Sequence, residues 1–162
     1  MQITPLDDLH DRAAFECGVE PLDRYFKTQA GQDVRKRMAS CFVLTDGSSA
    51  AIAFYTLTAT SIALHDLPAS MAKKLPRYPS VPATLMGRLA VDHRYRGQRL
   101  GELMIMDAFS RTLRSEIATY AFVVDAKDER TASFYKAYDF LQLGEVQNRL
   151  FMPMAEIAKL FA

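Results

Sequence analysis

The chain has 162 residues, 49% apolar and 24% charged, with a net charge of +1, the make-up of one globular domain with one core rather than a disordered or low-complexity chain. No apolar run reaches the length of a membrane span, and Asp7, Asp8 and Asp11 contradict a basic-then-apolar leader, so the expectation is a cytoplasmic protein with no membrane contact. The small net charge excludes a uniformly basic polyanion binder, yet residues 71–99 hold Lys73, Lys74, Arg77, Arg88, Arg94, Arg96 and Arg99 against Asp92, a local +6 offset by −5 elsewhere.

In chain order, Gln2 to Leu6 reads as a first strand. Pro21 to Met38 is helical, with Pro near its start and Leu22, Tyr25, Phe26 and Val34 at three-to-four spacing; Gly31 predicts a break into two helices. Ser40 to Thr45 is a strand ending at the Asp46-Gly47 turn signal. Ala51 to Leu64 alternates and forms a second long strand. Pro68 to Leu75 fits a short helix, and Pro76, Pro79 and Pro82 predict an extended loop up to Pro82. Ala83 to Val91 is the next strand, and Arg99 to Glu116 the main helix, with Leu100, Leu103, Met104, Ala108, Phe109 and Leu113 on its apolar side. Thr119 to Val124 is an uninterrupted β-type run, as in a buried strand. Asp128 to Tyr138 is a helix, Phe140 to Leu143 and Leu150 to Met152 are closing strands, and Met154 to Phe161 is a terminal helix packing Ile157 and Leu160. The strand–helix alternation of the second half implies an α/β or mixed architecture in one domain, 1–162. Cys17 and Cys41 have no metal-ligand spacing and read as reduced, buried thiols.

The most informative stretch is Leu89-Ala90-Val91-Asp92-His93-Arg94-Tyr95-Arg96-Gly97-Gln98-Arg99-Leu100-Gly101. A strand runs into a basic, glycine-bearing turn and then a helix. First-turn N–H groups lack internal acceptors and the macrodipole adds partial positive charge, which makes an anion cradle suited to a pyrophosphate. No Gly-Lys-Ser/Thr follows, which excludes an NTPase phosphate loop, and the three-glycine dinucleotide fingerprint is absent. Arg96-Gly97-Gln98-Arg99-Leu100-Gly101 resembles the acetyl-CoA loop of the GNAT N-acetyltransferases, Gln/Arg-x-x-Gly-x-Gly/Ala, with Arg99 in place of the middle glycine. Arginine suits a helical first turn there and conflicts with the pattern only if the loop needs a positive φ.

Asp128 through Phe140 is similar to a second segment of that family, Asn-x-x-Ala-x-x-Phe-Tyr-x-x-x-Gly-Phe. Phe134, Tyr135 and Phe140 align; Asp128, Thr131 and Asp139 replace the Asn, Ala and Gly. Phe15-Glu16-Cys17-Gly18, Leu22-Asp23-Arg24-Tyr25, Gln29-Ala30 and Gln32-Asp33 look like the N-terminal signature of the GNAT-type toxins of bacterial type II toxin–antitoxin pairs. The proline-rich approach to Gly87-Arg88-Leu89-Ala90-Val91-Asp92 and the Val124-Asp125-Ala126 strand end resemble the same branch, so the likeness spans about residues 12 to 160.

That resemblance implies a GNAT fold, a central mixed twisted sheet of about six to seven strands splayed between strands 4 and 5 and flanked by helices. It implies acetyl-CoA as co-substrate and no metal. Leu89, Ala90, Val91, Arg96, Gly97, Gln98, Arg99, Leu100, Gly101, Asp128 and Phe134 would bind the cofactor, and Tyr135 would be the general acid. Lys73, Lys74, Arg77 and Arg88 would face a tRNA substrate. The implied partners are aminoacyl-tRNA and a cognate antitoxin of the ribbon-helix-helix type, and a homodimer is compatible with the resemblance. His93, His65 and Glu102 are candidates for a general base, none with a compelling position. Two other functions stay open: a GNAT enzyme acting on a small-molecule amine or a protein N-terminus, and a non-catalytic CoA-binding regulatory module.

Overall fold

The computed structural model describes residues 1–162. Seven strands, β1 (Gln2–Pro5), β2 (Ser40–Thr45), β3 (Ala53–Ala63), β4 (Ser80–Val91), β5 (Ala121–Asp125), β6 (Leu141–Gln142) and β7 (Arg149–Pro153), form one mixed sheet in the order β1-β2-β3-β4-β5-β7-β6. The helices are α1 (Glu20–Thr28), α2 (Ala30–Arg35), α3 (Ala69–Ala72), α4 (Leu100–Arg114), α5 (Glu129–Lys136) and α6 (Met154–Lys159). This is the mixed α/β sheet with flanking helices that the sequence implied. β4 and β5 are parallel, in register from Ala83↔Ala121 to Met86↔Val124, and β4 continues past that last pair to Val91.

The chain divides into two compact units. One comprises Met1–Thr58 and Gly87–Ser110, the other Ala59–Met86 and Arg111–Ala162. In the first, Phe26 and Phe54 stack with centroids 4.1 Å apart, and Phe15 meets both edge-on at 4.9 and 5.6 Å. α1 has Pro21 as its second residue and carries Glu20 and Asp23 in its first turn and Lys27 in its last, the charges complementing the helix dipole. In the second unit, Ile62, Leu67, Val81, Ala83, Ala121, Val123, Leu143 and Phe151 form the core. Both cysteines are free and buried, and burial pushes the Cys41 thiol up to about 12, which leaves it inert.

Several boundaries differ from the sequence reading. The break in the first helical segment falls at Gln29 rather than Gly31, which sits inside α2. β4 starts at Ser80, inside the stretch expected to be loop, because prolines lose only the donor: Pro79 O accepts Leu64 N at 3.1 Å and Pro82 O accepts Tyr120 N at 2.8 Å. Leu103 is 42% exposed; the buried stripe of α4 is Leu100, Met104, Ile105, Ala108 and Phe109, which turns Leu103 outward. Ile157 is buried, but Leu160 lies beyond the end of α6 and is 53% exposed.

Candidate active site

The anion loop lies in the first unit. Val91 ends β4, and Asp92 follows with its carboxylate fully buried. Its Oδ1 accepts the Arg94 N–H at 2.9 Å and Arg94 Nε at 2.9 Å; its Oδ2 accepts Arg94 Nη2 at 3.0 Å and the Glu16 N–H at 3.1 Å. Burial alone would raise this carboxyl, but the Arg94 fork and the two backbone donors outweigh it and hold it down at about 2. Asp92 thereby caps the 3-10 turn His93–Tyr95.

Beyond that turn the backbone becomes left-handed twice, at Gly97 (φ 80) and at Arg99 (φ 57). Arg99 therefore does not adopt the helical first-turn conformation its residue type suggested. It takes a left-handed backbone of the kind glycine adopts freely, a conformation that costs an L-residue about 1–2 kcal/mol. The first helical bond of α4 is Leu103 N to Arg99 O at 3.2 Å, which leaves the N–H groups of Leu100, Gly101 and Glu102 without an i−4 acceptor. A Cβ placed on Gly97 or Gly101 meets nothing within 4 Å. The loop is open to a ligand and lined with main-chain donors, so the residues present fit a pyrophosphate. The Arg96 N–H is already bonded to His93 O at 3.4 Å, so the available donors start at Gly97. Of the arginine side chains, Arg94 is committed to Asp92 and Arg96 donates through Nη2 to Cys17 O at 2.9 Å.

Leu89, Ala90 and Val91 form the last residues of β4; Ala90 joins the first unit's core, and Leu89 and Val91 are half-buried. Arg88 is half-buried, with its guanidinium 3.6 Å over the Tyr25 ring, whose hydroxyl donates to Asp33 at 2.8 Å. This pairing involves the N-terminal signature residues Tyr25 and Asp33. Gln29 also donates to Asp33, and this bond with that from Tyr25 holds the Asp33 carboxyl below its usual range.

The helix α5 lies in the second unit. Asp128 is extended and caps the helix, its Oδ1 accepting the Thr131 N–H at 2.8 Å, a bond that also lowers its carboxyl. The cap needs an acceptor, which aspartate supplies as asparagine would, though without the amide donor. Tyr135 is 4% exposed, its ring packed against Phe140 at 5.3 Å. Its hydroxyl donates to Met86 Sδ at 3.8 Å, and Met86 belongs to the last β4–β5 pair. Burial pushes this phenol above its ordinary value, so it is protonated. A thioether is a weak acceptor, which leaves the proton available to a stronger one. Phe134 is half-buried between the rings of Tyr135 and Tyr138, at 5.5 and 5.2 Å. After α5, Asp139 has φ 70 at the second position where glycine was replaced.

Lys73, Lys74 and Arg77, which follow α3, are exposed. His93 Nδ1 lies 2.8 Å from Glu16 O, and His65 is exposed beside Asp66 at 3.6 Å. No group of three or more His, Cys, Asp or Glu side chains is arranged to hold a metal. Sequence reasoning missed Met86, for which no signal existed. It also passed over Asp92, whose Asp-x-Arg spacing before a turn is an N-cap signal.

No protein-family model matches the chain. It is 31% identical to the Sinorhizobium fredii protein named "Probable toxin TacT", over 98% of this chain and 93% of that protein. It is 31% identical to a "tRNA-acetylating toxin" of Mycobacterium tuberculosis, over 83% of this chain and 81% of the relative. Among solved structures, AtaT complexed with acetyl-methionyl-tRNAfMet matches with a TM-score of 0.89 and 29% identity over 99% of both chains. AtaTR bound with AcCoA matches at 0.83 with 28% identity, over 99% of this chain and 98% of the other. AtaT is also known in a complex with AtaR bound to DNA.

Proposed function

Because the chain belongs to the GNAT-type toxins of bacterial toxin–antitoxin systems, we propose that it is an acetyl-CoA-dependent N-acetyltransferase that acetylates the α-amine of aminoacyl-tRNA in the cytoplasm and so blocks translation. The observation that carries this reading is Tyr135, a buried, protonated phenol whose partner is the thioether of Met86. It serves as the general acid that protonates the departing thiolate.

The whole chain acts as one catalytic domain. Leu89, Ala90 and Val91 offer main-chain groups to the pantetheine amides, as an added strand would, and an N–H near Leu89 polarises the thioester carbonyl. The main-chain donors from Gly97 to Glu102 hold the pyrophosphate, with the exposed Arg99 side chain adding charge. Asp128 and Phe134 contribute to the carrier site by fixing the start of α5 and the seat of Tyr135. The exposed cations Lys73, Lys74 and Arg77 contact acceptor-stem phosphates; Arg88, stacked on Tyr25, positions β4. An α-amine has a pKa of about 7.7–8.0 against about 10.4 for a lysine side chain, and a neighbouring ester lowers it further. Much of such a substrate is neutral without help, which agrees with a site that presents no evident base.

The partners under this reading are charged tRNA, a second copy of the chain in a homodimer, and a DNA-binding antitoxin of the ribbon-helix-helix type; the AtaT–AtaR complex bound to DNA supports a DNA-binding antitoxin. Incubation with labelled acetyl-CoA, charged total tRNA and deacylated tRNA tests the reaction. Label on charged tRNA alone is the expected result. Label on neither RNA, with transfer to a small amine or a protein N-terminus, would replace this substrate with another.

A further inference from the structure

We propose that Arg96 is a positioning residue for the anion loop, locked by a clasp made of Glu16, Cys17 and Gly18, and that the guanidinium is not a phosphate ligand. This rests on the reading that the loop binds the pyrophosphate of acetyl-CoA. The clasp gives a physical task to the Phe15-Glu16-Cys17-Gly18 signature, which the reaction itself does not use.

The segment grips the loop on both sides of the 3-10 turn. Before the turn, the Glu16 N–H donates to Asp92 Oδ2 at 3.1 Å. Within it, Glu16 O accepts the His93 N–H at 2.8 Å and lies 2.8 Å from His93 Nδ1. After it, Arg96 Nη2 donates to Cys17 O at 2.9 Å. The segment is itself anchored: Phe15 is 1% exposed in the aromatic core, and the Cys17 N–H donates to Asp23 Oδ1 at 2.8 Å, at the start of α1. The clasp thus ties the loop to the rigid core of its own unit.

Gly18 shows how close the fit is. Its φ is +92, and a Cβ there would lie 2.7 Å from Arg96 Nη2. The backbone conformation requires glycine, and a Cβ would push the Arg96 guanidinium, the end of a flexible side chain, off its place on Cys17. The loop beyond Arg96 contains two left-handed residues, Gly97 and Arg99, and no regular structure until α4. Main-chain donors bind an anion tightly only when they are already aimed, because ordering them on binding subtracts from the affinity. The clasp supplies that order at the loop's entry, while α4 supplies it at the exit.

The test compares wild type, Arg96→Gln and Gly18→Ala, with coenzyme A titrated by calorimetry and acetyl transfer followed at varied acetyl-CoA. Arg96 is exposed, so Arg96→Gln keeps the fold. It is expected to weaken coenzyme A binding about tenfold, the scale of one lost charge-assisted hydrogen bond, and to raise KM for acetyl-CoA by the same factor with kcat and the KM for tRNA within twofold. Gly18→Ala contacts no ligand, yet it is expected to weaken binding similarly. The double variant should be no worse than the poorer single one. Asp23→Ala, which frees Cys17 N–H, is a second way to loosen the clasp should Gly18→Ala not fold, with a loss of about threefold expected. Arg96→Gln losing affinity while a folded Gly18→Ala or Asp23→Ala binds like wild type would make Arg96 a direct phosphate ligand and overturn the proposal. Wild-type affinity in all variants would overturn it too. Failure of the wild-type protein to take up coenzyme A would instead condemn the loop's assigned function.

Discussion

The anion loop and the α5 segment each replace a glycine of the family pattern, and both are left-handed at that position: φ is 57 at Arg99 and 70 at Asp139. They differ in what is left for chemistry. Around the loop, Asp92, Arg94 and Arg96 are bonded to one another or to the 16–17 backbone, and the groups left facing outward are N–H donors. In α5 the main chain is satisfied by the Asp128 cap and the helix, and the proposed acid is one hydroxyl, on Tyr135. Under the proposed function, one region binds through its backbone and accepts new side chains as long as φ is kept, whereas the other acts through a single side chain that no replacement supplies.

The largest effect should come from Tyr135→Phe. Loss of a general acid lowers kcat by about 100-fold or more, while coenzyme A affinity by calorimetry stays within twofold of wild type; a matching loss of affinity would mean that α5 binds the carrier too. Next, reversing Lys73, Lys74 and Arg77 to Glu should reduce kcat/KM for charged tRNA at least tenfold at low salt, an effect that fades as salt rises, with coenzyme A binding intact. Loss of both or of neither would show that these cations do not serve RNA.

Asp92→Ala deprives the Glu16 and Arg94 N–H groups of their acceptor and should destabilise the protein by about 2–3 kcal/mol in denaturant titration. The same carboxylate gives a pH signature. Its folded value, about 2, lies below its ordinary 3.8, so the stability it contributes is present above about pH 4 and is lost as pH falls toward 2. Asp92→Ala should flatten that acid limb. Asp128→Ala removes the α5 cap and should cost about 1 kcal/mol. The smallest effects separate the two left-handed positions: Arg99→Gly should stabilise by about 0.5–1 kcal/mol, and Asp139→Gly by less, because aspartate tolerates this region better than arginine. A destabilised Arg99→Gly would mean that the arginine side chain holds the loop after all.

Much of this was legible from residue order. β2 falls on Ser40–Thr45 as read, because alternation and the Asp46-Gly47 turn act locally. The loop and the Phe134-Tyr135 segment were visible as short motifs for the same reason. What stayed hidden depends on residues far apart in the chain. Cys17 and Arg96 are 79 positions apart, and nothing in the local pattern of either announces the bond. Arg88 read as a surface cation until Tyr25 was found beneath it. The break at Gln29 rather than Gly31 accompanies the bonds from Tyr25 and Gln29 to Asp33, a side-chain arrangement that outweighs a modest helix propensity. The left-handed backbone at Arg99 was misjudged because residue type favours negative φ, whereas the loop's role fixes it positive.

The most direct test of the account is an amide-resolved NMR titration with coenzyme A. If the backbone of the loop grips the diphosphate, the largest amide shifts will fall on Gly97, Gln98, Arg99, Leu100, Gly101 and Glu102, with the Arg94 and Glu16 amides that face Asp92 little changed. Binding that leaves those six amides unmoved would contradict it.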